Sequence, residues 1–350
     1  MFNPKYTISN QMLSQLSEIA EIKSIVERSK LLPKREVFLK RTSIIKMAHT
    51  STSIEGNELQ EYQVANVANG KKISGDQNQI TEVTNYLSAL GEINKISELK
   101  KNIAAKDILN IHKITMNGLV TSEKLGNWRK GPVYVVNILP SGKEEIAYSP
   151  PSFIHVSEHV SDLLDWLNSS DKIHPIIRTG LFHYQFETIH PFTDGNGRTG
   201  RLLSLLHLYQ SDWDFKKILV LEDYYNRNRK AYYEALQTGK TFIERSDADL
   251  TNWLEYYVEG FLDEANNVKT RILTLSGASS SKERNVLDLD ELKIVDFVLS
   301  LGQITSSDVV DILNVPQRTA QSKLKKLEDI KVLEKKGAGP ATHYIIAGIA

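Results

Sequence analysis

A mainly α chain with a small separate C-terminal module is predicted by three observations on the 350-residue sequence. Apolar residues recur at helical spacing over most of its length. One pair of β-prone runs brackets a Pro-Ser-Gly turn, and a small polar stretch near residue 280 divides a long helical body from a shorter tail with its own pattern. Hydrophobic residues make up 41% and charged residues 25%, ordinary values for a folded chain. Lys+Arg and Asp+Glu both number 43, so the formal net charge is zero and any basic surface has to be local. The absence of cysteine excludes disulfides, thiolate metal sites and cysteine nucleophiles. The first residues lack a basic-then-apolar signal pattern, and no apolar run is long enough to span a bilayer. The expectation is a cytoplasmic protein with no membrane partner.

Leu13, Leu16, Ile19, Ile22 and Val26 mark a helix over 11–31, which Pro33 is expected to end. A second helix over 35–52 stops near Gly56-Asn57, a C-cap pair. Further helices are predicted at 61–69, 77–96, 105–117, 154–168, 173–189, 200–211, 227–238 and 248–273. From Val133 to Tyr148 two strand-like runs flank Pro140-Ser141-Gly142, the signature of a hairpin, and a lone hairpin in a helical body reads as a flap. The expected domains are an N-terminal helical region (1–100), a helical core (101–273), a linker (274–286) around Ser276–Lys282, and a C-terminal domain (287–350).

The most informative stretch is His190-Pro191-Phe192-Thr193-Asp194-Gly195-Asn196-Gly197-Arg198-Thr199-Gly200-Arg201. Its two glycines allow a tight turn that aims successive N–H groups at one point, and a helix start just beyond adds partial positive charge. Arg198 and Arg201, three apart, project from one face of that helix start and suit a polyphosphate. Asp194 adds an oxygen ligand of the kind that holds Mg²⁺ (or Mn²⁺) beside phosphates. His190 places an imidazole at the entry to the loop, where it can act as a base.

This loop resembles the signature of the Fic (filamentation induced by cAMP) family, with every specified position filled. The lead-in His183–Ile189 and the downstream segment 221–236 are also similar to the family, and the resemblance covers roughly 40–265. It implies a Fic helical bundle with a β-hairpin flap, and transfer of AMP from ATP to Ser, Thr or Tyr hydroxyls of a protein target, self-modification included. By the same resemblance His190 is the general base, Asp194 the metal ligand, and Gly195, Asn196 and Gly197 hold phosphate oxygens through backbone and amide. Arg198 and Arg201 take the β- and γ-phosphates. Tyr232, Tyr233 and Leu236 border the adenine, and the hairpin clamps the target by strand addition.

Upstream, Ser51-Thr52-Ser53-Ile54-Glu55-Gly56 matches the family's inhibitory motif, with Ser51, Glu55 and Gly56 in the specified places. The resemblance implies that Glu55 pairs with Arg201 in cis and occupies the site meant for the γ-phosphate. In some family members the same glutamate serves AMP removal, and that alternative stays open.

Residues 290–350 read as helix, helix, helix and hairpin, a winged helix-turn-helix pattern. Seven basic residues stand against three acidic ones over 317–336, with Gln317, Arg318 and Gln321 as candidate DNA contacts. A protein-contact or oligomerisation module is the equal alternative. The rival to an enzyme is a nucleotide-sensing transcriptional regulator.

Overall fold

A computed structural model of the chain describes residues 2–29, 31, 33–138, 144–169, 172–277, 288–301, 303–330 and 332–347. The molecule is mainly helical. Its helices are α1 Asn10–Arg28, α2 Pro33–Ile54, α3 Glu61–Ala68, α4 Gln77–Glu98, α5 Ala105–Thr115, α6 Val156–Leu167, α7 Pro175–Ile189, α8 Asn196–Gln210, α9 Leu221–Arg227, α10 Arg229–Leu236, α11 Phe242–Ser246, α12 Thr251–Gly277, α13 Leu289–Leu301, α14 Ser306–Leu313 and α15 Gln317–Asp329. The strands pair as two antiparallel hairpins, β1 Val135–Ile138 with β2 Glu144–Tyr148, and β3 Leu333–Lys336 with β4 His343–Ile346. Packing divides the chain into two units, Met1–Glu27 with Ile44–Val268, and Arg28–Ser43 with Lys269–Ala350.

The first unit is built around α7 and α8, which pack on each other, while α8 also lies against α4 and α5. Nearly every residue of both helices is buried, so their polar side chains need internal partners. They find them across the seam. Thr179 Oγ1 meets His207 Nδ1 at 2.7 Å, and His183 Nδ1 meets Ser204 Oγ at 3.1 Å. Arg178 Nη1 donates to the carbonyls of Trp166 and Leu167 and so closes the C-terminus of α6. These pairs fix the register of α7 against α8, and hence the loop 190–195 between them.

Four local expectations change. Pro33 opens α2 rather than closing α1, because proline's fixed φ suits a first helical turn that needs no N–H there. The helix expected over 227–238 starts two residues later, at Arg229, because the Asn228 side chain accepts from Ala231 N at 3.1 Å and caps α10. The helix after the signature loop starts at Asn196, not Gly200, so Arg198 and Arg201 both lie within its first two turns. The expected linker begins inside helix, since α12 runs through Gly277, and residues 278–286 lie outside those described, as does the turn Pro140-Ser141-Gly142.

In the second unit Ile294, Val298, Ile304, Val309, Leu324 and Leu333 form a core between α13, α14, α15 and the β3–β4 hairpin. Gln317, Arg318 and Gln321 stand exposed on α15. Of the lysines in the basic stretch, Lys323 pairs with Asp288 and Asp290, and Lys326 with Glu291, so part of its charge is matched internally. Lys331 lies outside the described residues. Among the described residues no helix is long and apolar enough to cross a membrane.

Candidate active site

The last turn of α7 delivers His190 in a left-handed conformation (φ 50°, ψ 61°), its N–H bonded to Phe186 O at 3.0 Å. A non-glycine residue there costs free energy and persists only where its surroundings enforce it. Arg129 does so. Its Nε donates to His190 O at 2.9 Å, its backbone N to Pro191 O at 2.9 Å, and its Nη2 to Pro151 O at 2.5 Å. The imidazole Nδ1 faces Glu187 O at 3.3 Å, which assigns the proton to Nδ1 and leaves the Nε2 lone pair available. Burial, with Arg129 and Arg245 adding to it, holds the ring down at about 4 against the pull of the Glu187 carbonyl, so it is neutral near pH 7.

Beyond His190 the loop is braced by its own side chains. Asn196 Oδ1 accepts from Phe192 N at 2.8 Å while its Nδ2 donates to Phe192 O at 2.9 Å. The Asn196 amide is therefore spent on the loop, leaving only its backbone for a ligand. Gly195 has φ 82°, and a Cβ there would overlap Met116. His112 stacks on Phe192, ring centroids 3.7 Å apart, accepts from Gly126 N at Nδ1 and donates from Nε2 to Asp194 O at 3.0 Å. Burial holds His112 at about 4, so this neutral ring is a brace and not a base at neutral pH.

The two arginines are already engaged. Arg201 is 3% exposed and reaches α2, with Nε to Ser51 Oγ at 2.8 Å, Nη2 to Ser51 O at 2.9 Å and Nη2 to Glu55 Oε1 at 2.8 Å. Burial raises the Glu55 carboxyl, but Arg201 and Arg198 outweigh it and leave the group below the usual carboxylate range. About a quarter of its side chain (26%) stays open, so solvent screening moderates the pair. Glu55 is held there by the end of α2. Gly56 N bonds to Ser53 O and Asn57 N to Thr52 O, a Schellman turn with Gly56 at φ 98°. The Glu55 carboxylate lies so close over the start of α8 that a Cβ on Gly197 would overlap its Oε1. Arg198 Nη1 pairs with Glu82 Oε1 at 2.6 Å, and its Nη2 with Asp194 Oδ1 at 2.8 Å.

His190, Gly197, Arg201, Glu55, Tyr232, Tyr233 and Leu236 line one cavity of about 820 Å³, roofed by β1 and β2. Asp194, Gly195, Asn196 and Arg198 belong to the same loop and helix start but are not part of that lining. The Tyr232 hydroxyl is taken by His183 Nε2 at 2.8 Å, so this residue offers the cavity ring rather than hydroxyl. Tyr233 OH donates to Ile54 O at 3.3 Å, which ties α10 to the end of α2. The hairpin base is fixed by Tyr148, whose OH donates to Thr188 O at 2.6 Å and whose ring lies beneath Arg245.

Four residues the sequence reading passed over belong here: Arg129, His112, Glu82 and Glu187. Glu187, one turn before His190, lines the cavity with its Oε1 buried and unpartnered among the described residues. Burial pushes its carboxyl up to about 7, against the lowering effect of Arg201. The signal for Arg129 is the Trp128-Arg129-Lys130-Gly131-Pro132 turn; the others lie within ordinary helical patterns.

Residues 102–208 match the Fic/DOC family. The chain is 28% identical over 293 residues to protein adenylyltransferase fic-1 of Caenorhabditis elegans, covering 82% of this chain and 51% of that protein. It is 31% identical over 201 residues to protein adenylyltransferase Fic of Drosophila mojavensis, covering 56% of this chain and 37% of the relative. The chain thus spans about half or less of the length of these curated relatives. A crystal structure of a Fic family protein from Desulfovibrio desulfuricans G20 superposes with a TM-score of 0.64 at 26% identity, covering 100% of this chain and 99% of that one. Fic-1 (residues 134–508) from C. elegans gives 0.61 at 25% identity, covering 77% and 74%. The segment that builds the loop after His190 and the helices around it is a Fic domain, and the chain shares its mainly helical fold with Fic family proteins.

Proposed function

We propose that the protein is an ATP-dependent protein adenylyltransferase, held in check by its own Glu55. The observation that carries this reading is the convergence in one cavity of a neutral His190 imidazole, the buried Arg201 and the N-terminus of α8, the groups needed to bind a triphosphate and accept a proton beside it. The names of the relatives support it.

In the reaction, a target hydroxyl oxygen forms a bond to the α-phosphorus, and the bond from that phosphorus to the bridging oxygen of pyrophosphate breaks. The hydroxyl proton passes to His190 Nε2. The approaching triphosphate raises the basicity of the ring, because negative charge favours imidazolium. The backbone N–H groups opening α8 and the guanidinium of Arg201 face the charge on the phosphates. Ring faces of Tyr232 and Tyr233 and the Leu236 side chain border the base. β1 and β2 supply the strand edge for the target segment, with Tyr148 and Arg245 fixing its base.

Mg²⁺ or Mn²⁺ fits this site. Asp194 is a hard oxygen donor, 57% exposed at its side chain, and Mg²⁺ is often held by one carboxylate together with substrate phosphates and water. No cluster of three such donors is present among the described residues, so the nucleotide would have to complete the shell. When bound, the ion would neutralise negative charge on the phosphates. Asp194 would give up part of its bond to Arg198 to hold it.

Incubating the purified protein, carrying Glu55→Gly, with ATP and Mg²⁺ should add the mass of an adenylyl group to a hydroxyl residue of the protein or of an added target pool. Addition of a different group, or none across target pools, overturns the reading. Asp194→Asn or excess EDTA should lower the rate by roughly 10²-fold or more, the scale of losing an electrostatic element in phosphoryl transfer. Full activity in EDTA would remove Asp194 from the metal role.

A pH prediction follows from Glu187. As pH rises through about 7 its carboxyl ionises beside Glu55 and the phosphate site, so ATP affinity should fall across that range. Glu187→Gln, titrated by calorimetry between pH 6 and 8, should flatten that dependence; an unchanged profile would assign it to another group. Stability runs the same way. The folded carboxyl keeps its proton above the ordinary pKa of about 4.3, so stability falls as pH rises from there to about 7 and then levels.

A further inference from the structure

We infer that Glu82 is a positioning residue for the phosphate-binding arginine Arg198, and that Asn57 couples it to the turn that carries Glu55. This rests on the reading that the cavity takes an adenine nucleotide.

Glu82 belongs to the first turns of α4, whose N-terminus is capped by Asp76 through Asn78 N and Gln79 N. It is 8% exposed, and both of its oxygens are committed. Oε1 takes Arg198 Nη1 at 2.6 Å, and Oε2 takes Asn57 Nδ2 at 2.8 Å. Asn57 is itself pinned. Its Nδ2 also donates to Gln79 O at 3.0 Å, and its Oδ1 accepts from Leu59 N at 3.1 Å. Arg198 is 7% exposed and divides its terminal nitrogens between two carboxylates, Glu82 and Asp194.

A buried ion pair is a poor device for stability, because desolvating two charges cancels most of their attraction. What such a pair does well is fix orientation. With Glu82 in place the guanidinium has one direction, and a phosphate that binds it need not pay to order a long side chain. Without Glu82 the arginine would be left to Asp194, which is more than half exposed and lies beside the metal site.

The chain of contacts also reaches the inhibitory turn. Asn57 is the residue after Gly56 in the turn that ends α2, and its N–H closes that turn on Thr52 O at 3.1 Å. Residues 55–57 thus act on both arginines, Glu55 on Arg201 directly and Asn57 on Arg198 through Glu82. Displacing the turn to free Arg201 also loosens the clamp on Arg198.

The test compares binding of ADP and AMP by calorimetry to the full chain carrying Glu55→Gly. AMP lacks the phosphate that Arg198 is proposed to hold, so it is the internal control. Adding Glu82→Ala should weaken ADP about tenfold, as for loss of one well-aligned charged hydrogen bond, and leave AMP within about twofold. Glu82→Gln, which keeps a neutral acceptor, should fall between, and Asn57→Ala should weaken ADP about threefold through the lost tether. ADP unchanged, or ADP and AMP weakened alike, overturns the positioning role. Thermal melting checks folding. Should Glu82→Ala unfold, an unaltered ADP-to-AMP ratio in both Glu82→Gln and Asn57→Ala is enough to overturn it. A parent that binds neither nucleotide fails the nucleotide reading and this one together, whereas a parent that binds both with a ratio indifferent to Glu82 fails this one alone.

Discussion

Replacing His190 with alanine in a Glu55→Gly background is expected to lower AMP transfer by roughly 10²–10⁴-fold, the range of a positioned general base, while ADP affinity changes by no more than a few-fold. The asymmetry follows from what the side chain touches. Among the described residues the ring bonds only the Glu187 carbonyl, at 3.3 Å, and the loop beyond is braced by Asn196, Arg129 and His112, none of which needs the imidazole. The phosphate cradle should survive the substitution. The left-handed backbone at position 190 complicates alanine, because a Cβ is strained there whatever the side chain. His190→Asn provides the control, since asparagine tolerates that conformation and is no base near neutral pH. Both variants should be equally inactive and equally able to bind ADP. Initial rates within a few-fold of the parent in either one would remove His190 from proton transfer. Because burial holds the ring at about 4, the acid limb of the free enzyme's rate profile should lie well below the ordinary histidine value of about 6.5.

Much of this site was legible because its chemistry is contiguous. His190, Asp194, Gly197, Arg198 and Arg201 lie within twelve residues, and a turn followed by a helix start brings them together without help from the rest of the chain. The Ser51–Gly56 motif was legible as a pattern, although its contact with Arg201 spans 146 residues from Glu55. The supports were not. Arg129 meets His190 across 61 positions, His112 meets Asp194 across 82, and Glu82 meets Arg198 across 116. His112 and Glu82 sit in stretches whose local pattern is fully explained by helix, and Arg129 is marked only by its Trp-Arg-Lys-Gly-Pro turn, which does not name the distant partner. Tyr232 shows the converse. Its place on the cavity wall was expected, but its hydroxyl turns into the core toward His183, which only the packing of α7 against α10 decides. Element ends were lost for a related reason. Pro33 and Asn228 are helix starters as well as breakers, and which role wins depends on what the following turn buries.

Glu55→Gly is expected to raise AMP incorporation at saturating ATP by about ten- to a hundredfold, the range for releasing a charge-assisted hydrogen bond that competes with the productive phosphate. The carboxylate does two things at once. It bonds Arg201 Nη2 at 2.8 Å, and it fills the space over Gly197 at the N-terminus of α8, where backbone N–H groups favour an anion. Removing it frees both charge and volume. Arg201 is not left without partners, because Ser51 still accepts from Nε through its hydroxyl and from Nη2 through its carbonyl. The arginine therefore stays aimed into the cavity, and activation should not come at the expense of phosphate binding. Glycine next to Gly56 also loosens the end of α2, so Glu55→Ala separates the two effects and should activate nearly as well. Glu55→Asp, one methylene shorter, should activate in part, and Arg201→Ala should not activate, since the γ-phosphate loses its partner along with the inhibitor. Acid should not mimic the mutation above about pH 5. The Glu55 carboxyl titrates below its ordinary range, so the pair is intact above the unfolded value of about 4.3 and is lost only as pH falls through the lower folded one. Incorporation by Glu55→Gly equal to or below that of the wild type would refute inhibition by this residue.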